Sequence, residues 1–63
     1  MKVSGITFSG SKVWMTRTGY WDARKRQAHN FGANEAANKV RVNNANNRFL
    51  DAEDRVEAKT ESN

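Results

Sequence analysis

The sequence predicts a small α+β protein, mostly α, with an N-terminal β-hairpin or extended arm followed by a long or Gly32-broken amphipathic helix. Two observations carry that expectation. Residues 2–17 alternate with a period of two around the turn signal Ser9-Gly10-Ser11. Farther on, Val42, Ala45, Phe49, Ala52 and Val56 recur at gaps of three and four, which puts all five on one stripe of a helix. The chain then divides as one small domain, 1–63, with a hairpin or arm over 1–18, a helical part over 19–59 and a frayed polar tail over 60–63.

In the hairpin, Ile6, Thr7 and Phe8 precede the turn, and Val13, Trp14, Met15 and Thr16 follow it. Ile6 and Phe8 share a face with Val13 and Met15 in one register and with Trp14 and Thr16 in the other. Two strands alone are marginal in water, so their apolar face must dock on the helix or on another chain. The flexible-arm alternative rests on Ser4-Gly5 and Ser9-Gly10, which weaken strand order.

Thr18-Gly19 marks a break, with Thr18 suited to an N-cap and Asp22 placed where a negative charge favours the first turn of a helix. Gly32 either ends a first helix or sits inside one continuous helix. Continuity is favoured by a shared register on both sides of it and by the absence of proline from the chain. An unbroken helix over 20–59 would be about 60 Å long, which suits a coiled coil or a larger assembly. A break would let two helices fold back on each other, with Trp21 or Phe31 over Phe49. Asn34, Asn38, Asn43, Asn44, Asn46 and Asn47 make this region a weak helix former that needs tertiary support. Arg41, Arg48 and Arg55, seven residues apart, line one edge of the stripe, where stems cover the seam and heads pair with acids such as Asp51. No internal repeat is evident.

Totals narrow the functional classes. The chain has 63 residues, 37% of them hydrophobic and none of them cysteine. A chain this short buries a small fraction of its surface, and neither a disulfide nor a thiolate metal site supplements the core. Self-association or a partner is therefore expected. No run of about 18 apolar residues is present, so no membrane span is expected and the location is cytoplasmic or within a larger intracellular or virion assembly. The net charge of +4 is uneven: residues 1–30 hold six bases against Asp22, and the remainder is slightly acidic. The basic half is the candidate for an anionic partner.

Enzymatic chemistry is not expected: no catalytic residue, cofactor site, metal site or small-molecule substrate is predicted. There is one histidine and no Gly-rich phosphate loop, and His29 lies two helical turns from Asp22, beyond direct reach. The informative cluster is Trp14, Arg17, Tyr20, Trp21, Arg24, Lys25 and Arg26, in which rings interleave with cations. Trp, Tyr and Arg are enriched at protein-binding hot spots. The same mixture can stack on bases and neutralise phosphates. The leading expectation is a non-enzymatic interaction or assembly protein, of the size of a phage-type accessory or virion component or an inhibitor of a host protein. It would bind protein through this cluster and the Val42, Ala45, Phe49, Ala52, Val56 seam. The alternative is a small basic nucleic-acid-binding protein using Trp14, Trp21 and Arg24-Lys25-Arg26.

Overall fold

The computed structural model describes residues 1–62. The expected hairpin is present: β1 (Lys2–Thr7) pairs antiparallel with β2 (Lys12–Met15), with Ser4 opposite Trp14 and Ile6 opposite Lys12. That is the register in which Ile6 shares a face with Trp14, while Phe8 falls in the turn. The turn is closed by Gly10 N–H donating to Thr7 O at 2.9 Å, and Gly10 takes a φ of +89°, a conformation that only glycine adopts cheaply.

The same device recurs nine residues later and overturns the helical reading of 19–31. In Thr16-Arg17-Thr18-Gly19-Tyr20, Gly19 N–H donates to Thr16 O at 3.0 Å, and Gly19 also has φ +89°. The Thr16 and Thr18 hydroxyls are 3.2 Å apart, as the Thr7 and Ser9 hydroxyls are 3.0 Å apart. Both loops read Thr-x-Ser/Thr-Gly, a turn followed by a left-handed residue. Thr18 is thus a turn residue rather than a helix cap. The chain doubles back into the short β3 (Trp21–Asp22), which pairs with β2.

Gly32 is a helix start, neither a kink nor an end. It is the N-cap of α1 (Ala33–Asn46), where Gly32 O accepts from Ala36 N–H at 2.8 Å and Glu35 occupies the first turn. Beyond Asn46 the backbone tightens into 3₁₀ turns over Asn47–Phe49 and Ala52–Asp54, then straightens into β4 (Val56–Glu61). The helical span is therefore 33–46, not 19–59. Helix and strand occur in roughly equal measure, so the protein is α+β but not mostly α. With principal extents of 29 × 22 × 18 Å, the molecule has no 60 Å helix. The 60–63 tail is also corrected in part, because β4 reaches Glu61; position 63 lies outside the described residues.

The sheet order is β3-β2-β1-β4, a three-stranded meander whose fourth strand arrives by way of α1 and pairs antiparallel with β1. The helix packs over the β4 side of one face. Val3, Met15, Phe31, Ala36 and Ala58 form the core there, with Met1, Trp21 and Val40 against it. Small residues let the layers approach. Phe31 is further fixed by a T-shaped contact with His29, at 4.7 Å between ring centres.

What ties the helix to the sheet beyond this core is amide chemistry. Asn44 Nδ2 donates to Ala58 O at 3.1 Å while its Oδ1 accepts from Ala58 N–H at 3.0 Å. Asn43 and Asn47 both donate to Val56 O, at 2.7 and 2.9 Å. β4 is an edge strand, and these asparagines occupy backbone groups that would otherwise invite another strand. The asparagine-rich stretch is thus the element's tertiary support.

Candidate interaction surfaces

Alternation along β2 decides the fate of the aromatic-basic cluster. Met15 lies opposite Trp21 and Trp14 opposite Asp22, so the two indoles project from opposite faces of the sheet. Trp21 goes to the helix side and lies against Gly5. Trp14 goes to the other face and is only 7% exposed. The Lys12 and Lys25 ammonium groups sit over its ring at 4.9 and 5.3 Å from the centroid.

The remaining members spread out. Arg17 and Tyr20 belong to the β2–β3 loop, Tyr20 being 75% exposed. Lys25 and Arg26 lie in a 3₁₀ turn on the surface. Arg24 is engaged locally: its Nε and Nη2 donate to the two Asp22 carboxylate oxygens at 3.0 and 2.9 Å, and its backbone N–H donates to Oδ1 at 2.8 Å. Of the seven, the structure brings Trp14 and Lys25 into contact and separates Trp14 from Trp21.

The Arg24 hydrogen bonds draw the Asp22 carboxyl down from 3.8 to about 2. Because the folded value is the depressed one, the contribution to stability is complete above pH 4 and is lost as pH falls from about 4 toward 2. An NMR titration should place the Asp22 midpoint near 2. Asp22→Asn should abolish the pH dependence of Tm that belongs to this window, and a midpoint near 4 would contradict the pairing.

The predicted seam is divided among four elements. Val42 and Ala45 lie on α1 but on its exposed side, Phe49 and Ala52 lie in 3₁₀ turns, and Val56 is half-buried in β4. The sheet-facing side is Ala36, Val40, Asn43 and Asn47 instead. Phe49 is 81% exposed, so the spacing is real over its first three members but points away from the core.

Phe49 has company that periodicity did not single out. Ile6 and Leu50 are each 41% exposed and Phe8 is 67% exposed. All four collect at one end of the sheet: Thr7 pairs with Val56, Asn47 binds Val56 O, and Arg55 Nε donates to Leu50 O at 3.0 Å. Beside Ile6 and Phe8 a shallow cleft of about 290 Å³ is lined by Ile6, Thr7, Phe8, Ala52, Arg55 and Glu57. A phenylalanine placed directly before Ser-Gly, and a Phe-Leu pair followed by acids, were the sequence signals for this end.

Among the described residues no helix is long and apolar enough to cross a membrane. Comparison with protein-family models, with curated proteins and with solved structures returned no match to this chain.

Proposed function

We propose that the protein is a non-enzymatic interaction and assembly protein that docks through the end formed by Ile6, Phe8, Phe49 and Leu50, and that the partner there is a second copy. The observation that carries this is the exposure of two of the chain's three phenylalanines at one end of a protein that has few large apolar residues to spend. Clustered exposed apolar side chains of this kind mark interaction sites. The same end carries both signs of charge, with Arg48 and Arg55 beside Asp51, Glu53 and Asp54. A patch with an apolar centre and both charges at its rim is complementary to itself across a two-fold axis. The associated role is structural or inhibitory, as in a phage-type accessory or virion component or an inhibitor of a host protein, in the cytoplasm or in a larger intracellular or virion assembly.

Light scattering coupled to size exclusion tests this directly. The expected result is a dimer for the native chain and a monomer for Phe49→Asp, with unchanged circular dichroism because the replaced ring packs on little within its own chain. Native protein that stays monomeric up to about 1 mM, where only about 4 kcal/mol of association energy would be needed, removes the second copy as partner. A dimer that survives Phe49→Asp moves the interface elsewhere.

A further inference from the structure

The sheet has a second face, opposite α1, and its side chains can be read from the register. Lys2, Ser4 and Ile6 on β1, Lys12 and Trp14 on β2, and Glu57, Lys59 and Glu61 on β4 share it. Lys25 joins them by lying over Trp14. At one end is a cleft of about 430 Å³ whose lining includes Lys2, Trp14, Lys25 and Glu61. Four lysines thus converge on three adjacent strands and the turn beside them.

Their balancing charge is small. Glu61 Oε1 is shared by Lys12 at 3.7 Å, Lys59 at 3.5 Å and the Ser4 hydroxyl at 3.0 Å. Asp22 is matched by Arg24, and Glu57 stands at the far end opposite Ile6. The cluster therefore keeps an excess of about three positive charges around one carboxylate. The acids Asp51, Glu53 and Asp54 are held in other elements, at the end that bears Phe49. Two of the lysines are also held in place by the Trp14 ring beneath them, so less freedom is lost when they meet an anion.

We infer that this face binds the phosphate backbone of double-stranded nucleic acid, without reading base sequence. Backbone binding is favoured over stacking on a single strand because Trp14 is covered by its two lysines and offers no free ring face. It is favoured over a lipid surface because the cluster's own aromatic ring is buried and cannot insert among acyl chains. Lysine, a point charge rather than a planar fork, suits sequence-independent phosphate contact. The lysines and Glu61 that carry this inference lie outside the apolar end, with which the face has Ile6 in common, so it stands or falls independently of self-association.

The test is fluorescence anisotropy with a labelled random duplex of about 20 base pairs. Neutralising three to four phosphates gives a log–log salt slope of about −2.7 to −3.6, so Kd should rise roughly 40- to 150-fold between 50 and 200 mM salt. The pair Lys2→Gln and Lys59→Gln keeps most of each stem and should flatten the slope by about 1.8. Glu61→Gln, which keeps an acceptor for Ser4, should tighten binding, a gain that misfolding cannot imitate. The inference is overturned by no duplex binding at 50 mM salt, by a slope unchanged in the double variant, or by weaker binding with Glu61→Gln. A tenfold preference for a single strand of the same length, or for phosphatidylserine vesicles, would overturn it as well.

Discussion

Gly5→Ala is expected to lower stability by about 2 kcal/mol, within the usual range for overpacking, and Tm by roughly 8–16 °C. At an ordinary strand position the same change would be favourable by about 0.5–1 kcal/mol, because alanine has less freedom to lose. The sign reverses here because Gly5 lies between Val13 and Ala58 on neighbouring strands, on the face that Trp21 covers. A Cβ at this position would collide with Val56 Cγ1 and stand 3.0 Å from Cη2 and Cζ3 of the Trp21 ring. Strand β3 is only two residues long, so the indole packed on Gly5 does much to hold the second hairpin against the sheet. Calorimetry on Gly5→Ala, Val56→Ala and the double variant checks the cause. The double variant should be less destabilised than the two effects added, since the smaller side chain leaves room for the methyl group. A Tm that rises with Gly5→Ala would show that Val56 and Trp21 do not fill the space above β1.

The α+β class and the first hairpin were legible because period two around Ser-Gly is a local signal, and local signals survive in the folded chain. Thr16-Arg17-Thr18-Gly19 carries the same signal, yet Thr18 also fits a helix cap, and the aromatic and basic residues after it suit a helix as well as a strand. Comparing the two Thr-x-Ser/Thr-Gly segments would have favoured a second hairpin. The long helix failed for a different reason. Periodicity arguments assume that apolar residues mark the buried side. Here α1 lies against an edge strand, whose exposed backbone groups call for amides, so Asn43, Asn44 and Asn47 turn inward while Val42, Ala45 and Phe49 turn outward. The candidate sites suffered from the same limits. Trp14 and Trp21 fall on opposite faces once register is fixed, and a shift of one residue would have reversed either. Ile6, Phe8, Phe49 and Leu50 come to the same end of the sheet only because β4 returns to pair with β1, a contact between positions some fifty residues apart that no local pattern encodes.

Asn44→Ala is expected to cost about 2 kcal/mol, because it strips both partners from the Ala58 backbone at a half-buried site, where unmade hydrogen bonds are costly. Alanine is the better helix former by a few tenths of a kcal/mol, so a loss of stability cannot come from propensity and must come from the sheet. Asn44→Asp separates the two hydrogen bonds. An aspartate still accepts from Ala58 N–H but sets an anion against Ala58 O, whereas its protonated form can donate there. The Asp variant should therefore gain stability relative to the native chain as pH falls from 7 toward 4, while the Ala variant shows no such trend. A second consequence follows from the edge itself. With Ala58 N–H and C=O released, β4 offers an open ladder, and Asn44→Ala should self-associate through it even when Phe49→Asp has removed the apolar end. Hydrogen exchange at Ala58 reads the same event in the monomer: its amide should lose protection in Asn44→Ala before that of Gly5 on β1. Equal protection in both proteins would mean that the helix covers β4 by packing alone and that the asparagines are incidental.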